Sequence, residues 1–198
     1  MFKRMAVVFV VLAMLVWVSC AKAPEQEMQM SNQAIEAART AEAEDYVPDA
    51  FQAAMDTLNA ADAAKTEADG KFALFRSYGK AKELYVRAEV LANEAATQAA
   101  AEKERVKEEV TNLITQAQMA LDSADAALKK APKGKGSKAD IELIQNDLAA
   151  AQTSFTDGQN DFNAGQYKAA QAKIETTMQK AHAVITEIEQ AKAKKMGK

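Results

Sequence analysis

Three observations predict an all-α protein made of tandem three-helix antiparallel coiled-coil-like bundles that share one long helix. Of 198 residues 44 are Ala, the strongest helix former, against 7 Gly and 3 Pro. The β-branched residues that strands favour are scarce beyond the first twenty positions. Apolar residues recur at alternating spacings of three and four, an average of 3.5, which is the seam of helices packed side by side. This seam also occurs twice. Phe51, Ala54, Leu58, Ala61, Lys65, Ala68 and Phe72 are answered 90 residues on by Ile141, Ile144, Leu148, Ala151, Phe155, Gly158 and Phe162. Tyr78, Ala81, Tyr85, Ala88, Ala92, Ala95 and Ala99 are answered 89 residues on by Tyr167, Ala170, Ile174, Thr177, Ala181, Val184 and Ile188. One more helix precedes each pair, carrying Ile35 and Ala38 in the first case and Leu121 and Ala124, 86 residues on, in the second.

The elements follow in order. Lys3 and Arg4 precede the 14 uninterrupted apolar residues Met5–Val18, which end in Trp17-Val18-Ser19-Cys20. A stretch this short falls below the roughly 20 residues of a membrane-spanning helix and reads as an export signal over residues 1–19. Its end resembles the lipobox of bacterial lipoproteins, in which signal peptidase II cuts before the Cys and a diacylglyceryl group is carried on the sulfur. Small Ser19 fits that pattern, and Trp17 stands where it favours Leu. The resemblance makes Cys20 the lipidation site and the membrane a partner through an N-terminal lipid anchor. An ordinary signal peptide with an incidental Cys, or an uncleaved anchor, is the alternative. Cys20 is the single Cys, so the fold holds by packing rather than by a disulfide within the chain. Ala21 and Lys22 follow it, with no Asp to mark inner-membrane retention. By the same resemblance the outer membrane of the cell envelope is favoured, with the protein facing the periplasm and the inner membrane or the cell surface as alternatives. Removal of Lys3 and Arg4 leaves 23 basic residues against 28 acidic ones, a net charge of −5, which argues against nucleic acid as a partner.

Residues 20–30 are polar, contain Pro24 and read as a tether. The first three-helix unit spans 31–105. Tyr46-Val47-Pro48 ends one helix and starts the next, with Pro48 in a first helical turn. Asp69-Gly70 and Tyr78-Gly79 bracket a turn. No breaker lies between Lys80 and Ala131, so the last helix of the first unit runs into the first helix of the second. Such a helix of some fifty residues is about 75 Å long, and the linkage is similar to that of spectrin repeats. The second unit spans 106–195, with a loop at Pro132–Ser137 and a turn framed by Asp157-Gly158 and Gly165.

Tyr46-x-Pro48, with Ala54, Leu58 and Ala61 and then Tyr78, Ala81, Ala88 and Ala92, resembles the alanine-rich bacterial lipoproteins grouped as domain of unknown function 4398. The resemblance covers residues 30–105. The second unit keeps Gly165-Gln166-Tyr167 but lacks the Tyr-x-Pro motif, and the first has Tyr78-Gly79 in reversed order. The resemblance implies a location and an architecture and carries no catalytic residue.

The candidate chemistry is sparse, and the residues predict no enzyme and no cofactor. His182 is the single His, and Gln179 stands where a di-iron bundle needs Glu, so a flank position on the last helix is expected. Gly134-Lys135-Gly136-Ser137 lacks the upstream Gly of a phosphate loop and reads as a basic linker. Asp157, Asn160, Asp161 and Asn163 offer oxygens for Ca²⁺, but their spacing is not that of an EF-hand and turns favour the same residues. Phe51, Phe72, Phe75, Tyr78, Tyr85, Phe155, Phe162 and Tyr167 are expected to plug the bundle ends, with Phe72 and Phe162 in equivalent places. The sharper alternative is an apolar pocket for a lipid or hydrophobic peptide at Phe72, Phe75, Tyr78, Phe162 and Tyr167. The terminal Lys198 closes a basic segment that complements a helix C-terminus. Its place resembles that of the Lys through which the major outer-membrane lipoprotein is joined to peptidoglycan, which makes a cell-wall contact at Lys198 an alternative. The function expected is a structural or protein-interaction role in the envelope, with an envelope protein or peptidoglycan as partner.

Overall fold

A computed structural model describes residues 22–131 and 138–196. Among these residues the regular structure is helical throughout, as six α-helices and one 3-10 turn. The helices are α1 (Glu25–Thr40), α2 (Ala43–Tyr46), α3 (Pro48–Asp69), α4 (Gly79–Lys129), α5 (Lys138–Asn163) and α6 (Tyr167–Met196), and the 3-10 turn is Ala73–Phe75. Cys20, the basic linker 134–137 and Lys198 lie outside the described residues.

Two compact units divide between Glu102 and Lys103, inside α4, three residues before the division expected at 105/106. The first unit packs α1, α2, α3 and the opening half of α4. Pro48 begins α3 at its first turn, where a missing N–H costs nothing, and Asp49 beside it complements the helix dipole. Its buried seam runs through Phe51, Ala54, Leu58, Ala61 and Ala68 on α3 and through all seven expected positions from Tyr78 to Ala99. The second unit packs the rest of α4 with α5 and α6. Ile144, Leu148, Ala151, Phe155, Ile174, Ala181, Val184 and Ile188 form its core with Leu121 and Ala124. Thr177 is buried there too; its hydroxyl donates to the Lys173 carbonyl at 2.9 Å and lies 3.5 Å from the Ala151 carbonyl across the seam.

Three expectations are corrected. The tether is shorter than 20–30, because α1 begins at Glu25. Glu, Gln and Met are good helix formers, and Glu25 and Glu27 occupy the first turn, where the dipole favours acids. Tyr46-Val47-Pro48 separates two helices as expected, and a further break lies at Glu42, whose φ of 60° puts a non-glycine residue in the left-handed region. Gly158 is no turn residue. It lies inside α5, where a Cβ would meet the Ile174 side chain at 2.8 Å, so the glycine lets α5 and α6 approach. The turn itself is made by Gly165, with φ 79°. Gly165 N–H donates to the Phe162 carbonyl and Gln166 N–H to the Asp161 carbonyl, the paired bonds of a Schellman cap. Last, Phe72 and Phe162 are not equivalent. Phe162 lies within α5, half-buried, whereas α3 stops at Asp69 and leaves Phe72 70% exposed beyond it.

Candidate functional site

The most distinctive chemistry lies where α3 turns into α4. Tyr78, just before α4, and Tyr85, two turns into it, sit on one buried seam, and their hydroxyls reach out of the seam toward acids on α3. Tyr85 is fully buried, and its hydroxyl donates to Asp62 Oδ1 at 2.6 Å. The Tyr78 hydroxyl donates to Asp69 Oδ1 at 2.5 Å, and Lys65 Nζ donates to Asp69 Oδ2 at 2.9 Å. Tyrosine can fill the space of a seam and still satisfy its polar end at the rim, which Ala cannot do.

These contacts shift the groups' affinity for protons. The Tyr78 hydroxyl and the Lys65 ammonium hold the Asp69 carboxyl below its ordinary value. Burial, and then the Asp62 carboxylate, push the Tyr85 hydroxyl strongly up. The Asp69 carboxylate raises Tyr78 and Lys65. Neither phenol is thereby prepared as a nucleophile or base near neutral pH, and the ladder is a packing device.

Arg76 ties the turn. Its Nη2 donates to the carbonyls of Asp69 and Lys71 at 3.0 and 3.1 Å, which satisfies acceptors left over at the end of α3. The 3-10 turn is closed by Phe75 N–H donating to the Phe72 carbonyl. Phe72, Leu74 and Phe75 consequently stand outward, 70%, 65% and 77% exposed. Against this end lies the start of the described chain. Lys22, Ala23 and Pro24 share an open groove of about 480 Å³ with Ser77, Tyr78 and Gly79. Glu27 on α1 accepts from Lys82 on α4 at 2.7 Å, a contact that lowers the Glu27 pKa.

The corresponding turn of the second unit differs. Phe162 and Tyr167 pack on each other with ring centroids 5.3 Å apart at 54°. Lys173 pairs with Asp161 at 2.7 Å. The second unit also carries an open groove of about 380 Å³ bordered by Leu121, Asp122, Asp125 and Phe155.

Of the five aromatics named for a pocket, Tyr78 borders the groove beside Lys22. Tyr78 is buried and bonded to Asp69, Phe72 and Phe75 point away from the core, and Phe162 and Tyr167 cover each other. The three-four spacing does not carry across Gly70, where α3 has already ended. Phe51, Phe155 and Tyr85 do enter the cores. His182 is exposed on α6. Asp157 is exposed within α5, and Asp161 is engaged by Lys173. Among the described residues, no three His, Cys, Asp or Glu side chains come together to hold a metal ion. No helix among them is long and apolar enough to cross a membrane. The tyrosine–carboxylate ladder escapes the sequence reading. Its signal is Asp62 and Asp69, each one residue past a seam Ala on α3, opposite two seam tyrosines.

No family model matches the chain, and no curated protein or solved structure matches it either.

Proposed function

We propose that the chain is an envelope lipoprotein, acylated at Cys20, whose helical units serve a structural or protein-interaction role rather than a catalytic one. The observation that carries this reading is Cys20 itself: the single Cys of the chain, directly after Ser19 at the end of a 14-residue apolar stretch that begins behind Lys3 and Arg4. The resemblance to the alanine-rich lipoproteins belongs to the same reading, as does placement in the outer membrane facing the periplasm. The narrow Ala seam of the first unit and the open grooves of both units suit a scaffold. A cell-wall contact at Lys198 is an alternative, tested separately by looking for a Lys198-linked muropeptide after cell-wall digestion.

The deciding experiment is fractionation of Cys20→Ser beside the wild-type chain, with metabolic labelling by a fatty acid. The reading expects the wild type to be labelled and held in the outer-membrane fraction. It expects the variant to be unlabelled and either unprocessed or lost from that fraction. Equal labelling of the two proteins contradicts it.

A further inference from the structure

The turn between α3 and α4 directs three large apolar residues to solvent. Phe72, Leu74 and Phe75 lie within four positions and are each at least 65% exposed. Of the other large apolar residues exposed among those described, Val86 and Val90 lie one turn apart on α4 and are about half exposed, and Met30, Met119 and Leu143 stand singly. Single exposed apolar side chains are ordinary, whereas an apolar cluster marks a surface meant to be covered. The cluster is also fixed in place. The Arg76 bonds to Asp69 and Lys71 and the Phe75-to-Phe72 backbone bond hold the turn in the shape that points these side chains outward.

Two further observations say what covers it. The first is where the described chain begins. Lys22 and Ala23 lie along the same groove as Ser77 and Tyr78, directly beside this turn. Cys20 is two residues before Lys22, and two residues span at most about 7 Å. The second is charge. Lys71 and Arg76 flank the apolar run on either side and Lys80 and Lys82 follow it; Lys71 and Lys82 pair with Glu67 and Glu27, and Arg76 is bonded to the turn's own carbonyls. Aromatic and aliphatic side chains bracketed by cations suit the boundary between acyl chains and anionic headgroups, where the rings enter and lysines in surface pairs can exchange a carboxylate for a phosphate.

We infer that the Phe72–Phe75 turn inserts into the lipid bilayer beside the acylated Cys20, as a second attachment point of the first unit. The inference rests on the proposed lipidation for the position of the bilayer. A lipid anchor alone leaves the protein free to swivel on its tether. A second contact at the same end of the unit fixes the direction in which α3 and α4 leave the membrane. The committed occupant is lipid, rather than a protein or a second copy of the chain.

The test uses full-length protein purified from host membranes and reconstituted in vesicles of phosphatidylethanolamine and phosphatidylglycerol. Trp17 is the single Trp and lies before Cys20, so the processed Phe75→Trp variant carries one indole, at the turn. Exposed Val90, eleven residues into α4 and so about 16 Å from Gly79, supplies the control Val90→Trp. The intact mass of each variant reports acylation. With acylated protein, the inference expects the emission of Phe75→Trp to shift to the blue and lose most of its intensity when the vesicles carry lipids brominated near the headgroup. The emission of Val90→Trp should show neither change. Acylated Phe75→Trp whose emission behaves like that of Val90→Trp overturns the insertion and leaves the lipidation intact. A blue shift without quenching by brominated lipid also overturns it, in favour of contact between copies. A mass without acyl chains overturns the lipoprotein reading, and this inference with it.

Discussion

Tyr85 and Ile174 occupy corresponding positions 89 residues apart, and both are fully buried. Around Tyr85 the seam continues as Ala88, Ala92, Ala95 and Ala99; around Ile174 it continues as Thr177, Ala181, Val184 and Ile188. The first unit thus packs slender helices and sends tyrosine hydroxyls to carboxylates at the rim. The second fills its seam with branched aliphatics and drops to Gly158 where Ile174 needs room. The counterpart of Gly158 in the first unit is Ala68. One spacing of seam positions therefore supports two chemistries. A unit that leans on polar pairs depends on pH, and a unit that leans on apolar area does not.

The largest effect should come from removing the two central residues. Tyr85→Ala should lower the stability of the first unit by about 3–5 kcal/mol, and Ile174→Ala should cost the second about 2–5 kcal/mol. Chemical denaturation followed by circular dichroism measures both. A cost near zero for either would mean that its seam is not what holds the unit together.

Corresponding residues should then diverge. Phe162→Ala loses a half-buried ring packed on Tyr167 and should cost roughly 2 kcal/mol, about half of a full core truncation. Phe72→Ala, at an exposed position, should stay within about 0.5 kcal/mol. Equal costs would restore the equivalence that the two turns lack in the structure.

How much of this is legible in the sequence follows from where the three-four spacing applies. Within continuous helix it places nearly every buried residue, because the spacing is the geometry of the seam itself. Lys65 is its one charged member, and it is half-buried and turned to Asp69 rather than into the core. Past a helix end the spacing has no meaning, which is why it misplaces Phe72. Glycine usually marks a turn, whereas Gly158 marks a close approach between helices, and only knowledge of its neighbour Ile174 separates the two. The left-handed Glu42 carries no residue signal at all. The ladder is readable in part, since a buried tyrosine asks for a partner and Asp62 and Asp69 stand at the right phase.

Gly158→Ala sharpens the same contrast at smaller size. Overpacking against Ile174 should cost about 1–3 kcal/mol, offset by about 1 kcal/mol of helix propensity. The net loss should vanish when Gly158→Ala is made in an Ile174→Ala background, where the clash is gone. Thermal melts of the single and double variants check this.

The smallest effects should be those of the polar pairs. Tyr85→Phe should cost about 1 kcal/mol, since exposed Asp62 can turn to water. The pH dependence should also divide the units. Tyr78, Tyr85 and Lys65 hold protons more tightly folded than unfolded. Their contribution is complete below the ordinary values near pH 10 and is lost as pH rises through the folded values. Asp69, Glu27 and Glu67 hold protons less tightly folded, so their contribution is complete above about pH 4 and is lost as pH falls through the folded values. The raised lysines of the second unit, Lys107 and Lys129, sit in exposed pairs within one helix and add little. Amide exchange with time corrected for pH should show the first unit loosening before the second above about pH 10, and Tyr85→Phe should narrow that gap.

The central claim is that the chain holds two units, each with its own packed seam, joined in sequence through α4. Native-state hydrogen exchange on Tyr85→Ala, resolved by residue, tests it most directly. Repeat units that meet through one helix confine damage to the unit struck. The account predicts loss of protection in α3 and in α4 up to about Glu102, with α5 and α6 keeping the protection of the wild type. An even loss across all the helices would contradict it, and would make the chain one cooperative bundle.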